Sequence, residues 1–562
     1  MIEFPPGLIL ILGALFVPIL PSYFRNAYML ALPILGFWGL LILPEGILFS
    51  FIFFDYTLAP VRVDKLSLLF GYIFHIAAAV SIIFAFHVKD PVQQMAGLIY
   101  AGAAIGGAFA GDLITLFVYW EGTAIASVFL IWSSKTERSF RAGMRYLIIQ
   151  VGSGVLLLAG AILQFKKTGS LDFTSMDLSD LGPILIFIAF GIKAAFPLLH
   201  NWLQDAYPEA TVTGTVFLSA FTTKLAVYAL ARGFAGTELL IWIGAVMTAF
   251  PIFYAIIENN LRRVLCYSLN IQLGFMIVGV GIGTELALNG TAAHAVSHIL
   301  YKALLFMSMG AVLYQVGTIK ATELGGLFKS MPYTAGLCII GCASISAFPL
   351  FIGFISKSLI ITAVAEQGHW VVWLVLLFAS AGVIQYSAMK IPYFTFFQKA
   401  PGLKTSEAPG NMLIAMGIVA FLCIAIGVYP TPLYALLPYQ LDYSPYTATH
   451  VVTQIQLLLF SALAFFLLVK TGIYPAMIRA TNLDFDWIYR RLLPMIIAGF
   501  GKLITLIDRL IRDTFLSLLN QLLKLIFKHH GPGGLLARTG LTGLMALLVV
   551  IFLALFLLIY FI

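Results

Sequence analysis

Charge is scarce in this chain. Asp, Glu, Lys and Arg make up only 10% of it, where soluble globular proteins carry about a quarter. A mean hydropathy of +1.00 over 562 residues excludes a large soluble domain. Cysteine is scarcer still: Cys266, Cys338, Cys342 and Cys423 all lie in or at the ends of apolar runs. None forms a CxxC pair, and no Cys/His cluster has metal-ligand spacing. They read as small packing residues, so no metal and no cofactor is expected. The net charge of +8 points to no nucleic-acid partner, because the basic residues sit in short loops. The first apolar run lacks a basic leader and a cleavage site. With Glu3 as its only charge, it reads as a retained span.

Long hydrophobic runs are what the chain has instead. A helix needs about 20 apolar residues to cross the hydrocarbon core. About sixteen such stretches can be placed, at 4–20, 27–53, 66–87, 92–110, 113–132, 143–165, 182–203, 211–232, 239–257, 264–282, 291–315, 333–363, 371–397, 411–430, 451–471 and 540–562. The fold class is therefore an all-α polytopic membrane protein, with the lipid bilayer as its solvent.

The loops alternate in charge. Those after odd-numbered stretches hold Arg25; Lys135, Arg138, Arg141 and Arg145; Arg262 and Arg263; Lys320 and Lys329; Lys399 and Lys404. Those after even-numbered stretches are acidic or mixed: Lys166 and Lys167 with Asp172, Asp177 and Asp180, then Glu238, Glu285, Glu366 and Asp442. The positive-inside rule puts the first set in the cytoplasm and both termini outside. The expected location is a prokaryotic plasma (inner) membrane.

Residues 483–530 differ. Arg512, Asn520, Lys524 and Lys528 recur at multiples of four among Leu, Ile and Phe. That is an amphipathic helix lying along a surface, ended by Pro532, Gly533 and Gly534 before a last span at 540–562. A simple membrane anchor and a strap across neighbouring subunits both fit it.

One short repeat stands out. Ala195-Phe196-Pro197-Leu198 recurs as Ala347-Phe348-Pro349-Leu350. Proline inside a helix removes a hydrogen bond and clashes with the preceding turn. Broken helices in corresponding halves of a membrane protein point to an ion or substrate site. Lys193 precedes Pro197 and Lys357 follows Pro349.

Charged groups at mid-bilayer cost at least about 2.5–3.5 kcal/mol, so they default to a functional reading. Lys193 and Lys224 lie deep in their stretches, and Glu121 is central in LFVYWEGTAIASVFLIW. His294, His298 and Lys302 are spaced by four, which puts them on one helical stripe about 6 Å apart along the axis. Lys357 and Lys390 lie in later stretches. Desolvation disfavours a charged ammonium and a nearby carboxylate restores it, so Lys193 beside Glu121 suits proton release and uptake. Histidine titrates near neutrality and has two ring nitrogens for relay. Each residue also has a bland reading as a helix tie or packing group. Asp112 reads as a helix-start residue. His75, His87 and His369 receive no role.

The segment GIKAAFPLLHNWLQDAYPEATVTGTVFLSAFTTKLAVYALAR (191–232) resembles the signature of the antiporter-like subunits of respiratory complex I, membrane-bound hydrogenases and Mrp-type cation/proton antiporters. LRRVLCYSLNIQLGFMIVG, HAVSHILYKALLFMSMGAV and FPLFIGFISKSLII match further blocks in the same order. The resemblance spans roughly residues 90–400 and is nearest to the D-type Mrp subunit. The long C-terminal helix looks more like that of the distal complex I subunit.

The resemblance implies two inverted five-helix repeats, each with a broken helix. It implies N-terminal helices at 1–91, the first repeat at 92–235, the second at 236–400, further spans at 401–482, the amphipathic helix at 483–530 and the last span at 540–562. Glu121 and Lys193 would form a switching pair, continued by Lys224, by His294, His298 and Lys302, and by Lys357 toward an exit. Pro197 and Pro349 would mark the two breaks. Lys390 matches no motif position and stays doubtful.

The expected function is the proton-translocating subunit of a multisubunit Na+/proton antiporter, a transporter part and not itself an enzyme. Its partners would be other membrane subunits, protons and Na+. The alternative is a proton-pumping membrane-arm subunit of a complex I-like NADH:quinone oxidoreductase or a hydrogenase, with the redox chemistry in other subunits. A third class is a stand-alone transporter paired with a soluble protein.

Overall fold

The computed structural model describes the chain apart from residues 1–4, 54–55, 400–401, 404, 476–477, 479–481, 483, 535, 537 and 539, and the side chains at 23 and 53. The charges Glu3 and Lys404, and the first residue of the 483–530 segment, lie outside the described residues. The chain divides into two compact units, Met1–Asn482 and Leu483–Ile562.

Among the described residues, 12 helices are long and apolar enough to cross a membrane. Four of the expected stretches fall short of that, for local reasons. Leu8–Ala14 is a short helix. Pro91–Phe109 is diluted by Gln93, Gln94 and several glycines. The stretches 182–203 and 333–363 are interrupted: Leu181–Lys193 gives way to Asn201–Ala206, and Pro332–Ile345 to Ile352–Glu366.

The stretch 27–53 needs correction. Its helix, Ser22–Leu41, stops early, and Gly46–Phe53 is a strand paired antiparallel with Tyr56–Val63. The fold is therefore overwhelmingly but not wholly helical. A short apolar run fits a buried helix and a strand equally well by composition. Here Pro44 and Gly46, with φ 128°, end the helical backbone, and the aromatic-rich run that follows suits a strand. The hairpin is anchored where Gly111 N donates to Ala59 O at 2.9 Å and Asp112 Oδ2 accepts from Ala59 N at 2.9 Å. Asp112 also caps the Leu113–Trp132 helix by accepting from Thr115 N at 2.7 Å.

Two segments share one order of elements. Asp112 starts Leu113–Trp132, Glu137–Thr168 follows, and an isolated bridge joins Asp112 to Asp172 before the first broken helix. Asn260 starts Leu261–Ile282, Glu285–Val316 follows, and a bridge joins Asn260 to Lys320 before the second.

The two breaks have the same backbone. Ala195 and Leu198 have φ 61° and 71°; Ala347 and Leu350 have φ 57° and 74°. Phe196 N reaches Gly191 O at 3.0 Å and Ala195 N reaches Ile192 O at 3.1 Å. Phe348 N reaches Ala343 O at 3.0 Å and Ala347 N reaches Ser344 O at 3.2 Å. Each is a Schellman ending, a six-to-one bond enclosing a five-to-two bond. Glycine usually occupies the left-handed position, and alanine there is strained by about 1–2 kcal/mol.

Glycine does matter between Glu238–Ile257 and Leu261–Ile282. A Cβ on Gly274 would lie 2.7 Å from Gly244 O, so these helices touch backbone to backbone, as small residues allow in membranes.

In the second unit a π-helical turn, Ile488–Leu492, leads into Leu493–His530, a helix of 38 residues. At 1.5 Å per residue it is about 57 Å long. Arg512, Asn520, Lys524 and Lys528 share one of its faces. Thr542–Phe561 follows.

Candidate functional site

Lys193, Lys224, Lys302, Lys357 and Lys390 are all buried, and each ammonium donates to a backbone carbonyl. Helix ends and breaks leave carbonyls without intrahelical partners, and these carry partial negative charge. Breaks supply the acceptors of Lys224 and Lys357 and a helix end those of Lys390, whereas Lys193 and Lys302 reach carbonyls inside the continuous helices Leu113–Trp132 and Leu261–Ile282.

Lys193 is the last residue of Leu181–Lys193. Its Nζ donates to Trp120 O and, at 2.8 Å, to Thr123 Oγ1. It also lies 4.4 Å from the centre of the Trp120 ring, a cation–π contact. Trp120 is fixed in turn: its Nε1 donates to Ser153 Oγ at 2.9 Å, and Ser153 Oγ donates to Ala189 O at 2.8 Å. Glu121 follows Trp120, and its buried Oε1 has no hydrogen-bond partner. That carboxylate lies over Gly154, where a Cβ would come within 1.4 Å of Oε1. The expected pair is thus adjacent without being bonded.

Lys224 lies beyond another break. The expected stretch 211–232 divides at Phe221 into Val212–Ala220 and Thr222–Gly233. Lys224 Nζ donates back across the break to Ser219 O. It lies within electrostatic range of Lys302 and His298.

The stripe on Glu285–Val316 is a polar thread. Lys302 Nζ donates to Ser268 Oγ at 2.6 Å and to Leu265 O at 3.2 Å. Tyr301 OH lies 3.3 Å from both Gln272 Oε1 and His294 Nε2. His294 Nδ1 lies 3.0 Å from Ser356 Oγ, the neighbour of Lys357. His298 is edge-on to Tyr301 at 5.4 Å, with both ring nitrogens buried and unpartnered. Lys357 Nζ donates to Ile345 O at 2.8 Å, capping the half-helix before its own break. A cavity of about 400 Å³ is lined by Asp64, Arg232 and Tyr439 and by Thr291 and Ala292, which lie within one turn of His294.

Lys390 is built differently. It sits between two π-helical stretches, Ile384–Met389 and Tyr393–Phe397. Its Nζ donates to Ala255, Ile256 and Glu258 O at 3.0, 2.7 and 2.7 Å. Those carbonyls end Glu238–Ile257, so Lys390 is a helix cap with three acceptors.

Arg262, expected as a loop charge, is buried. It donates to Pro208 O at 3.0 Å, Ala210 O at 3.0 Å and Thr211 O at 3.2 Å. It sits in the first turn of its helix, which turns the guanidinium inward as a peg between the two segments. Sequence reading also missed Trp120, Thr123, Ser153, Gln272, Tyr301 and Ser356. Trp120, Thr123, Tyr301 and Ser356 lie one or two positions from Glu121, Lys302 or Lys357, whereas Ser153 and Gln272 carried no local signal.

Residues 110–383 match the family model described as NADH:quinone oxidoreductase/Mrp antiporter, TM. Hydrogenase-4 component B of Escherichia coli is 30% identical over 55% of this chain and 52% of its own length, so the match spans about half of that relative. The D-type component of the Na+/H+ antiporter of Alkalihalophilus pseudofirmus is 29% identical over 59% of this chain and 72% of its own. A chain of an archaeal respiratory membrane complex, the membrane-bound sulfane sulfur reductase, has the same fold at a TM-score of 0.72. It is 22% identical, over 98% of this chain and 99% of that one.

Proposed function

Because this chain belongs to the antiporter-like membrane subunit family shared by Mrp antiporters, respiratory complex I and hydrogenases, we propose that it moves protons for a multisubunit Na+/proton antiporter. It does so in a prokaryotic plasma membrane, with both termini outside and other membrane subunits as partners. The helices around Lys193 and Lys357 form two inverted repeats, at 92–235 and 236–400. Protons pass along Glu121, Lys193, Lys224, Lys302, His298, His294 and Lys357.

The observation that carries this reading is that each buried lysine donates to a backbone carbonyl, Lys224 and Lys357 to carbonyls exposed by helix breaks, and Lys193 and Lys302 to carbonyls of neighbouring helices. A protonated lysine there keeps an acceptor without a permanent counter-ion. An unpartnered carboxylate beside Lys193 then works as a switch. Its approach favours the ammonium, and its retreat favours release. The thread from Tyr301 through His294 to Ser356 leads toward Lys357.

A second reading is a membrane-arm subunit of a redox-driven complex. The length of the Leu493–His530 helix favours it.

The test is proton flux in vesicles holding the whole complex, with Lys193→Ala and Glu121→Ala. Flux is expected to collapse in both, and wild-type flux in both overturns the reading. Dependence of wild-type flux on Na+ separates the antiporter from the redox-driven reading.

A further inference from the structure

The break at Phe221 has a cause of its own, because it contains neither proline nor glycine. Thr222 N would donate to Leu218 O in a continuous helix. It donates instead to Tyr100 OH at 3.0 Å. That hydroxyl lies 3.5 Å from Leu218 O and 2.7 Å from Thr222 Oγ1. One side-chain oxygen therefore stands between donor and acceptor of a single helical bond. Insertion of a side chain into the ladder is a recognised origin of a kink.

The consequences run to Lys224. Lys224 N turns to Phe221 O at 3.0 Å, three residues back. Its ammonium then takes Ser219 O. The Tyr100 ring packs edge-on against Phe221 at 5.2 Å, which holds the hydroxyl in place. Tyr100 is fully buried, so solvent does not compete for the site.

We propose that Tyr100 is a positioning residue whose hydroxyl wedges open the helix at Phe221 and so creates the carbonyl site that holds Lys224. The proposal rests on the proton-path reading above and deepens it. Lys193 owes its acceptors to a neighbouring helix, and Lys357 owes its acceptor to a Schellman ending. Lys224 owes its acceptor to a phenol from the Pro91–Phe109 helix.

The test is Tyr100→Phe in the whole complex, read by proton flux against pH in vesicles and by an electron cryo-microscopy map. The ring stays and only the wedge is lost. The helix is expected to close, with Thr222 N returning to Leu218 O. Flux is expected to fall about tenfold to a hundredfold, the scale of a misplaced reacting group, and its pH profile to move. Thr222→Pro in the Tyr100→Phe background removes the amide that would close the helix, and is expected to restore the break and most of the flux.

A break that persists in Tyr100→Phe, an unmoved pH profile, or no rescue by Thr222→Pro overturns the proposal. Tyr28→Phe, which removes a hydroxyl bonded to Gly13 O, serves as the control. An equal effect there also overturns it. Wild-type flux in Lys193→Ala would sink the proton path itself. The map still reports on the wedge in that case, so the two failures are distinguishable.

Discussion

The break after Lys193 and the break before Lys357 have the same dihedral pattern and the same nested hydrogen bonds, yet they hold their lysines in opposite ways. Lys193 ends the half-helix that precedes its break and faces another helix, with Trp120 O, Thr123 and the Glu121 carboxylate around it. Lys357 comes from the half-helix that follows its break and folds back onto Ile345 O. Its ring neighbour is Phe275, at 5.2 Å, and no described carboxylate is bonded to it. One backbone device thus supports two kinds of site. The first has an unpartnered carboxylate oxygen beside it, while the second adjoins the polar thread through His294 and Ser356.

The comparison breaks most easily at the lysines. Lys193→Ala and Lys357→Ala should each lower proton flux in vesicles about a hundredfold, the weight of a lost acid–base group. A large loss in only one would show that the halves work independently. The next effect sharpens the contrast. Gly154→Ala puts a methyl where Glu121 Oε1 lies, so it should lower flux about tenfold by displacing the carboxylate and move the pH profile as Glu121→Gln does. No glycine variant near Lys357 should copy that.

Ser356→Ala cuts the link from His294 and should lower flux about fivefold, the equivalent of one hydrogen bond. Lys390→Met should leave the pH profile of flux in place while destabilising the protein by about 1–3 kcal/mol, through carbonyls left without a donor. Thermal unfolding in detergent measures that loss. The smallest effect is shared. Ala195→Gly and Ala347→Gly should each stabilise by about 0.5–1 kcal/mol, because relief of the left-handed backbone exceeds the entropy cost of glycine. Unequal gains would mean that the two breaks are not equally strained.

Much of the site was legible beforehand. A lysine or histidine in a long apolar run is visible without coordinates, because its insertion cost makes it conspicuous. The spacing of His294, His298 and Lys302 placed them on one face, and the repeated Ala-Phe-Pro-Leu located both breaks. The break at Phe221 was not legible, because its cause is Tyr100, more than a hundred residues away in sequence. The hairpin at 46–63 was missed because composition does not separate an apolar strand from the end of a helix. Lys390 and Arg262 looked like a doubtful path member and a loop charge. Their carbonyl partners, which make them caps and pegs, come from other helices.

Residue order alone was enough to read the apolar surroundings of this protein, the burial of the lysines and histidines deep in apolar runs, and the two places where a helix breaks next to proline. These follow from transfer energies and from local backbone sterics. Only the tertiary structure decided which carbonyl each lysine holds, that Glu121 stands beside Lys193 without bonding to it, and that Lys390 is satisfied as a helix cap. Those facts depend on which helix ends meet in space, and a short-range pattern along the chain carries no information about that meeting.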